Sequence, residues 1–475
     1  MAQVEELVRE GVRKRMETLR DLDARFREVQ RDKLLAIVRR NADTEFGRAH
    51  GFSGITSEGE YRRAVPPSTA PEYDAAWKRI EAGERDVLFA DPVHAFGLSS
   101  GTTGEPKTLP MTQPLVRGMK RAIGNATSCY VARSGDYSIL RGYALQLAAQ
   151  STVRRTAGGV PVGYMTGITG AARSYPFHNI GIPPAEVLDI ADWREKYRVI
   201  EERYADHDVR LIFGVPGYVL GFLRFLAEKR GLRDTSALWP ELRLVVTSGM
   251  PLREHRDRIA ALCPRAELLE MYMATEAPIS FQSDASDPAM RLMVEDVYFE
   301  FVPADRWGEG GAPRVPLGAV EPGVPYVILV TTPAGLYAYS PGDVVRFARA
   351  DPPGLLVDGR MEAVLSLVIE KVDATQAEQA LGRAALPYEA FLVCPAAGER
   401  LAHEWVVETA GDPPPDAAER IDAALRAINP LYRTVRAGDL LLGPPVFTRV
   451  RRGAFDAALG RRPGQGKILR IHQDR

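Results

Sequence analysis

The feature that most constrains the fold is a strand-helix-strand pattern in the middle of the chain. The runs DVRLIFGV (208–215) and LRLVVTSGM (242–250) are short and almost wholly apolar at their centres, as strands buried on both faces require. Between them GYVLGFLRFLAEKRG carries apolar residues at helical spacing, and Gly231 follows its last turn as a stop signal. Parallel strands joined through a helix belong to a covered sheet, so the chain is predicted to be α/β. Ligands in such sheets bind in the loops at the carboxyl ends of the strands, which directs attention to the residues after 213 and after 247.

Residues 1 to about 48 read as helix, because Leu19, Leu22, Phe26 and Val29 recur at three- and four-residue spacing. The repeat fades quickly, so a helical arm packed on its own domain is expected ahead of a coiled-coil dimer. From Val87 onward, short apolar runs alternate with Gly-rich turns and helical segments. A β-rich stretch, PYVILVTTPAGLYAYSPGDVVRFA, follows, with a turn at Ser340-Pro341-Gly342-Asp343. After LLVDGRMEAVLSLVIEKVD the texture becomes α+β. ATQAEQALGRA and PDAAERIDAALRAI read as helices, YEAFLVC and HEWVVET as strands, and Pro413-Pro414-Pro415 as a stiff loop. With 475 residues, two domains are expected: a large one over 1–358 with mixed and parallel sheets, and a small, mobile α+β one over 359–475.

Charge and cysteine usage exclude several classes of function. Lys and Arg total 61 against 62 Asp and Glu, a net charge of −1, so no global field draws nucleic acid or an anionic membrane. The segment 449–475 is basic, but only Phe455 is interleaved as a stacking aromatic, which argues against a nucleic-acid partner. Cys129, Cys263 and Cys394 are odd in number and far apart, so neither a disulfide framework nor a zinc cage is expected. The charged start MAQVEELVREGVRKR is unlike a signal peptide, and no window approaches the apolar length of a membrane span. A cytoplasmic protein is expected. No histidine pair has metal-binding spacing, His403-Glu404 lacks the second histidine of a zinc protease motif, and no Gly-x-Ser-x-Gly elbow is present.

The segment FGLSSGTTGEPKTLPMTQ (96–113) carries the most chemistry. Ser99, Ser100, Thr102 and Thr103 offer hydroxyls, Gly101 and Gly104 let backbone amides approach a ligand, and Lys107 adds a compact positive charge. Together they suit a polyphosphate, although the same residues describe a Ser/Gly-rich turn ending in an exposed lysine. A Walker loop is excluded, because Pro106 stands where that motif needs glycine before lysine.

The full string SSGTTGEPK closely resembles the phosphate loop of the acyl-adenylate-forming superfamily, and further matches follow in order. MYMATEAPIS (271–280) resembles its aromatic-x-x-Thr/Ser-Glu motif, YSPGDVVRF its aspartate motif, and LLVDGRMEAVLSLVIEKVD its Gly-Arg hinge. Within the superfamily the chain is identified as a member of the Gretchen Hagen family of acyl-acid amido synthetases. That resemblance is carried by NADTEFGRAHGFSGI, VPPSTAPEYDAAWKRIEAGERDVL, VVTSGMPLREH, INPLYRTVRAGDLLLGPPVFTRVRRGAF and GQGKILR, and it runs from about residue 30 to the C-terminus.

The resemblance implies a two-step reaction: a carboxylate attacks the α-phosphate of ATP, and an amine then displaces AMP to leave an amide. A free carboxylate is a poor electrophile and an acyl-adenylate a good one, so the protein's task is positioning and charge stabilisation. By the resemblance, Ser99 to Gly104 and Lys107 would cradle the β- and γ-phosphates. Glu276 would hold Mg²⁺, and Thr275 would bind the α-phosphate. Tyr272 would stack on adenine, against the reading that it is simply packed, and Ser248, Gly249 and Met250 would line the base. Asp343 would hold the ribose hydroxyls, where a turn-capping aspartate is the plain alternative. Arg360 would contact the nucleotide or orient the small domain, and Lys467 would reach the α-phosphate. Two departures from the family pattern are Ala277-Pro278 and Ile468-Leu469.

An acyl pocket is expected from FGVPGYVLGFL and GGVPVGYMTGITGAARSYPF, with Tyr164, Met165, Phe213, Val215 and Tyr218 as lining, each of which also reads as ordinary core. The partners implied are a small carboxylic acid and an amine, usually an amino acid in this family. Acyl-CoA ligation shares the first half-reaction and is the alternative activity. A non-catalytic acyl- or nucleotide-binding protein is a further alternative, which the retention of Lys107, Glu276, Asp343, Arg360 and Lys467 argues against.

Overall fold

A computed structural model describes residues 2–99, 107–172, 180–253, 255–361, 364–398, 400–409, 411–455 and 471. The N-terminal arm is three helices, Ala2–Ala24, Phe26–Arg40 and Glu45–Ala49, where the spacing predicts one. Arg25 leaves helical geometry at φ −119°, ψ 19°, which redirects the chain. Thr44 starts the third helix by accepting from Gly47 N at 3.0 Å. The arm lies on its own domain. Leu19 and Phe26 are buried, and the Gln30 amide donates to the carbonyls of Val294 and Val297 at 2.9 and 2.7 Å.

Two compact units are present, one of 1–99, 108–191 and 198–361, the other of 100–107, 192–197 and 362–475. In the first, described strands form one sheet of twelve. Its parallel half runs Glu267–Met273, Leu244–Ser248, Val209–Gly214, Tyr143–Leu147, Gly181–Ile182, and the strand-helix-strand pattern lies here. The helix Pro216–Arg230 ends as expected: Gly231 sits at φ 63°, with Gly231 N bonded to Glu228 O and Leu232 N to Ala227 O, which closes a Schellman cap. The other half is antiparallel and includes Pro278–Phe281, Met290–Leu292, Pro353–Arg360, Asp343–Ala350, Tyr326–Thr331 and Tyr298–Pro303. The two halves meet at the hairpin of Glu267–Met273 and Pro278–Phe281. A smaller sheet holds Lys107–Thr112, Val93–Ser99, Pro161–Tyr164 and Arg154–Arg155.

The second unit has a three-stranded sheet in which His403–Glu408 lies between Ala390–Pro395 and Val446–Val450, with helices Ala374–Arg383 and Ala417–Ile428. Its interior is organised by a buried carboxylate. Glu370 accepts from the amides of Leu367, Val368 and Ile369 at 2.7, 2.9 and 2.9 Å and pairs with His403 Nε2 at 2.8 Å. Burial opposes its ionisation, but His403 and the amides outweigh it and hold the carboxyl below its usual range. No helix among the described residues is long and apolar enough to cross a membrane.

Asp296 contrasts with Glu370. It is buried under the helix Gln113–Ser134, its Oδ2 has no hydrogen-bond partner, and burial, only partly offset by Arg121, pushes its pKa up to about 6. The native state therefore binds the Asp296 proton more tightly than the unfolded chain does. The associated stabilisation is complete below the ordinary aspartate pKa and is lost as pH rises through about 6. Asp296→Asn should thus raise stability by about 2 kcal/mol at pH 7.5 and change little at pH 4, read by urea unfolding at both pH values. Equal effects at the two pH values would contradict this assignment.

Candidate active site

Thr275 and Glu276 form the apex of the hairpin where the two sheet halves meet. Ala274 N donates to Ala277 O at 3.0 Å and Ala277 N to Ala274 O at 3.3 Å, closing a two-residue turn. Ala277 is wholly buried, and a Cβ on Gly118 would come within 3.1 Å of Pro278 Cγ. The departure at Ala277-Pro278 therefore fills core space beneath the turn and leaves its apex clear. Across from it runs the strand Val93–Ser99. A Cβ on Gly97 would stand 2.5 Å from Thr275 Cγ2 and 3.0 Å from Met111 Sδ. Glycine is thus what lets the strand leading into the phosphate-loop motif reach the Thr-Glu turn. Ser99 is the last residue of this strand and Lys107 the first of Lys107–Thr112. Ser100, Gly101, Thr102, Thr103 and Gly104 lie outside the described residues.

Tyr272, two residues before the turn's Ala274, donates its hydroxyl to Asp343 Oδ2. Asp343 follows Gly342, which turns the chain at φ 86°, and stands opposite Arg360 in the ladder of Asp343–Ala350 and Pro353–Arg360. Arg360 Nε lies 3.5 Å from Asp343 Oδ1, and its terminal nitrogen donates to Pro341 O at 2.6 Å. Burial, and then the Asp343 charge, push the Tyr272 phenol well above its ordinary pKa, so it stays a donor at any working pH. Tyr339 was missed from sequence. It is buried, packs edge-on to Tyr73 at 5.6 Å, and its phenol is raised by burial and then by the Glu276 charge. Its position directly before the Ser-Pro-Gly-Asp turn was the available signal.

Ser248, Gly249 and Met250 leave the end of Leu244–Ser248, with Gly249 at φ 89°. A Cβ on Gly249 would be 3.6 Å from Val215 Cγ2, so this loop lies against the one carrying the expected acyl residues. Phe213 is paired with Gln146 on one side and Val246 on the other. Phe213 and Met165 share one core cluster, Tyr164 pairs with Leu98, and Val215 and Tyr218 are almost wholly buried. Glu270 is another residue that sequence reasoning passed over. It accepts from Leu252 N at 3.2 Å and so fastens the loop beyond Met250, and burial raises its pKa.

Lys467 lies outside the described residues. On one side of it Gly453 N and Phe455 N donate to the Glu408 carboxylate at 2.7 and 3.2 Å, and on the other Ile471 bridges to Val393. Both flanks are thus tied to neighbouring strands of the small sheet.

The close approach at Gly97 yields a specific expectation. Gly97→Ala should destabilise the protein by about 1–3 kcal/mol, as overpacking does, and should displace Thr275. The double variant Gly97→Ala/Thr275→Ser removes the clashing methyl and should recover at least half of that loss in a thermal-melt cycle. Strict additivity would show that the two residues do not touch.

Comparison with known proteins identifies the family and the fold. Family models match along the chain: the GH3 family N-terminal domain at residues 15–201, its central domain at 290–356 and its C-terminal domain at 370–475. Indole-3-acetic acid-amido synthetase GH3.8 of Oryza sativa subsp. indica is 26% identical, over 94% of this chain and 88% of its own. The solved structure of AtGH3.15 acyl acid amido synthetase in complex with 2,4-DB has a TM-score of 0.64 at 20% identity, covering 98% of this chain and 94% of that one. A 2-hydroxyisobutyryl-CoA ligase with 2-HIB-AMP and CoA has a TM-score of 0.56 at 15% identity, covering 95% of this chain and 90% of that one. The fold is the one these adenylate-forming enzymes share, and the chain belongs to the GH3 family.

Proposed function

We propose that this protein is an ATP-dependent acyl-acid amido synthetase, which adenylates a small carboxylic acid and transfers the acyl group to an amine, an amino acid by preference. The observation that supports the reading is the close approach of the Thr275-Glu276 turn to Gly97, in the strand that leads toward the phosphate-loop motif. Family membership and relatives named as amido synthetases support the amine as acceptor. The CoA-ligase reading is kept as the alternative because that fold is shared.

In this reading the phosphate loop and Lys107 hold the β- and γ-phosphates and Thr275 the α-phosphate. Ser248 to Met250 flank the base, Asp343 holds the ribose, and Phe213 and Met165 contact the acid. Among the described residues no group of three or more His, Cys, Asp or Glu could hold a metal. One carboxylate at Glu276 suits Mg²⁺ that brings its remaining ligands as phosphate oxygens and water. Lys467 is the residue proposed to act at the α-phosphate, where a compact ammonium would offset charge growing at the bridging oxygen. Cys129, Cys263 and Cys394 are buried free thiols, in keeping with the reducing cytoplasm.

The test is acid-dependent release of AMP and pyrophosphate from Mg-ATP with pooled carboxylic acids, with pooled amino acids or CoA as acceptor. Amino-acid-stimulated AMP release with an amide in the mass spectrum is expected. Stimulation by CoA alone would overturn the amide reading. In the same assay Lys467→Ala should slow adenylation by about 10²–10³-fold with ATP affinity nearly intact, and near-normal adenylation would remove its role. Glu276→Gln should raise the Mg²⁺ concentration needed for half-maximal rate by about tenfold, and an unchanged Mg²⁺ requirement would exclude it as ligand.

A further inference from the structure

Asp343 is held from two sides before any ligand arrives. Tyr272 reaches it from the strand Glu267–Met273 and donates to Oδ2, while Arg360, from the neighbouring strand, faces Oδ1 at 3.5 Å. Arg360 is itself fixed, because its terminal nitrogen donates to Pro341 O at 2.6 Å and a Cβ on Gly342 would stand 3.2 Å from that nitrogen. An ionised carboxylate has about four acceptor sites on its two oxygens. The phenol uses one of them on Oδ2 and blocks rotation of the group about its Cβ–Cγ bond. The sites left over then have one orientation.

Tyr272 is also the aromatic residue of the aromatic-x-x-Thr/Ser-Glu motif; it is half-buried, and its hydroxyl reaches the aspartate turn from a strand that ends in the Thr-Glu turn. We propose that Tyr272 is a positioning residue for sugar recognition: its hydroxyl sets the Asp343 carboxylate so that the enzyme selects nucleotides carrying both ribose hydroxyls. One side chain would then couple recognition of the base, through its ring face, to recognition of the ribose, through its hydroxyl. The physical reason is that a fixed acceptor loses a hydrogen bond when a hydroxyl is missing, whereas a rotating carboxylate finds water instead. The inference rests on Asp343 as the ribose residue in the reading above.

Equilibrium dialysis of ATP, 2′-deoxy-ATP and 3′-deoxy-ATP with Mg²⁺ tests it without knowledge of the acid. The native protein should bind ATP at least about tenfold more tightly than either deoxynucleotide. Tyr272→Phe should bring that ratio below about threefold while binding of the deoxynucleotides changes less than about twofold, a pattern that a merely packed tyrosine would not give. Loss of affinity for all three nucleotides in proportion would overturn the proposal. Asp343→Asn separates the two layers: an unchanged ratio in that variant would remove Asp343 as the ribose residue, whereas a lost ratio there with an intact one in Tyr272→Phe would sink the positioning role alone. Tyr272→Trp, which keeps a ring face without a hydroxyl at that place, provides the same ratio should the phenylalanine variant fail to melt cooperatively. An intact ratio in whichever variant is folded counts against the inference.

Discussion

The hairpin that joins the parallel and antiparallel halves of the large sheet sets the geometry of everything around it. A parallel ladder delivers its loops at one end, whereas an antiparallel one alternates them, so the seam is where a turn emerges beside the ends of parallel strands. Thr275 and Glu276 occupy that turn, its two backbone hydrogen bonds hold it, and Ala277 and Pro278 anchor it from below. Gly97 completes the arrangement by contributing nothing: any side chain there would push the phosphate-loop strand off Thr275. The strand that ends at Ser99 and the turn carrying Glu276 are thus brought together by sheet topology and one missing methyl group.

The same logic places the two loops proposed for base and acid side by side. Val209–Gly214 and Leu244–Ser248 are adjacent parallel strands, so the loops leaving them start one strand spacing apart, about 5 Å. Gly249 and Val215 realise that closeness. For a reaction joining a carboxylate to an α-phosphate, loops fixed on neighbouring strands remove most of the orientational freedom that the step would otherwise have to overcome. Glu270 strengthens this from within the sheet, because its buried carboxylate ties Leu252 N and so the chain beyond Met250.

Much of this was legible in the amino-acid order, and the parts that were not share a cause. Helix 216–230 with its Gly231 cap, the strands on either side of it and the four motifs are local patterns, set by periodicity and turn chemistry. The break of the N-terminal arm at Arg25 was not legible, because no proline or glycine marks it and the bend follows the surface that Phe26 and Gln30 pack against. The Gly97–Thr275 contact and the Tyr272–Asp343 bond join residues far apart in sequence, and periodicity carries no information about such pairs. Glu270 reads simply as a polar residue in a strand until its partner is known.

The shared fold of amido synthetases and a CoA ligase bears on where specificity resides. In the proposed reaction an amine and CoA would both follow the same adenylation step, so the roles proposed for the seam turn and the aspartate turn are neutral toward the acceptor. In the proposed function, discrimination between acids falls instead to side chains whose identity the seam does not constrain. Phe213, paired with Gln146 on the neighbouring strand, is of that kind, and so is Met165, which shares a core with Phe213. The glycines at 163, 167 and 170 bring this second wall in, since a Cβ at any of them would overlap the Gln146–Ser151 segment. Tight glycine packing fixes the backbone here while the side chains stay free to differ, so in the proposed function one scaffold can serve acids of different shape without disturbing the seam.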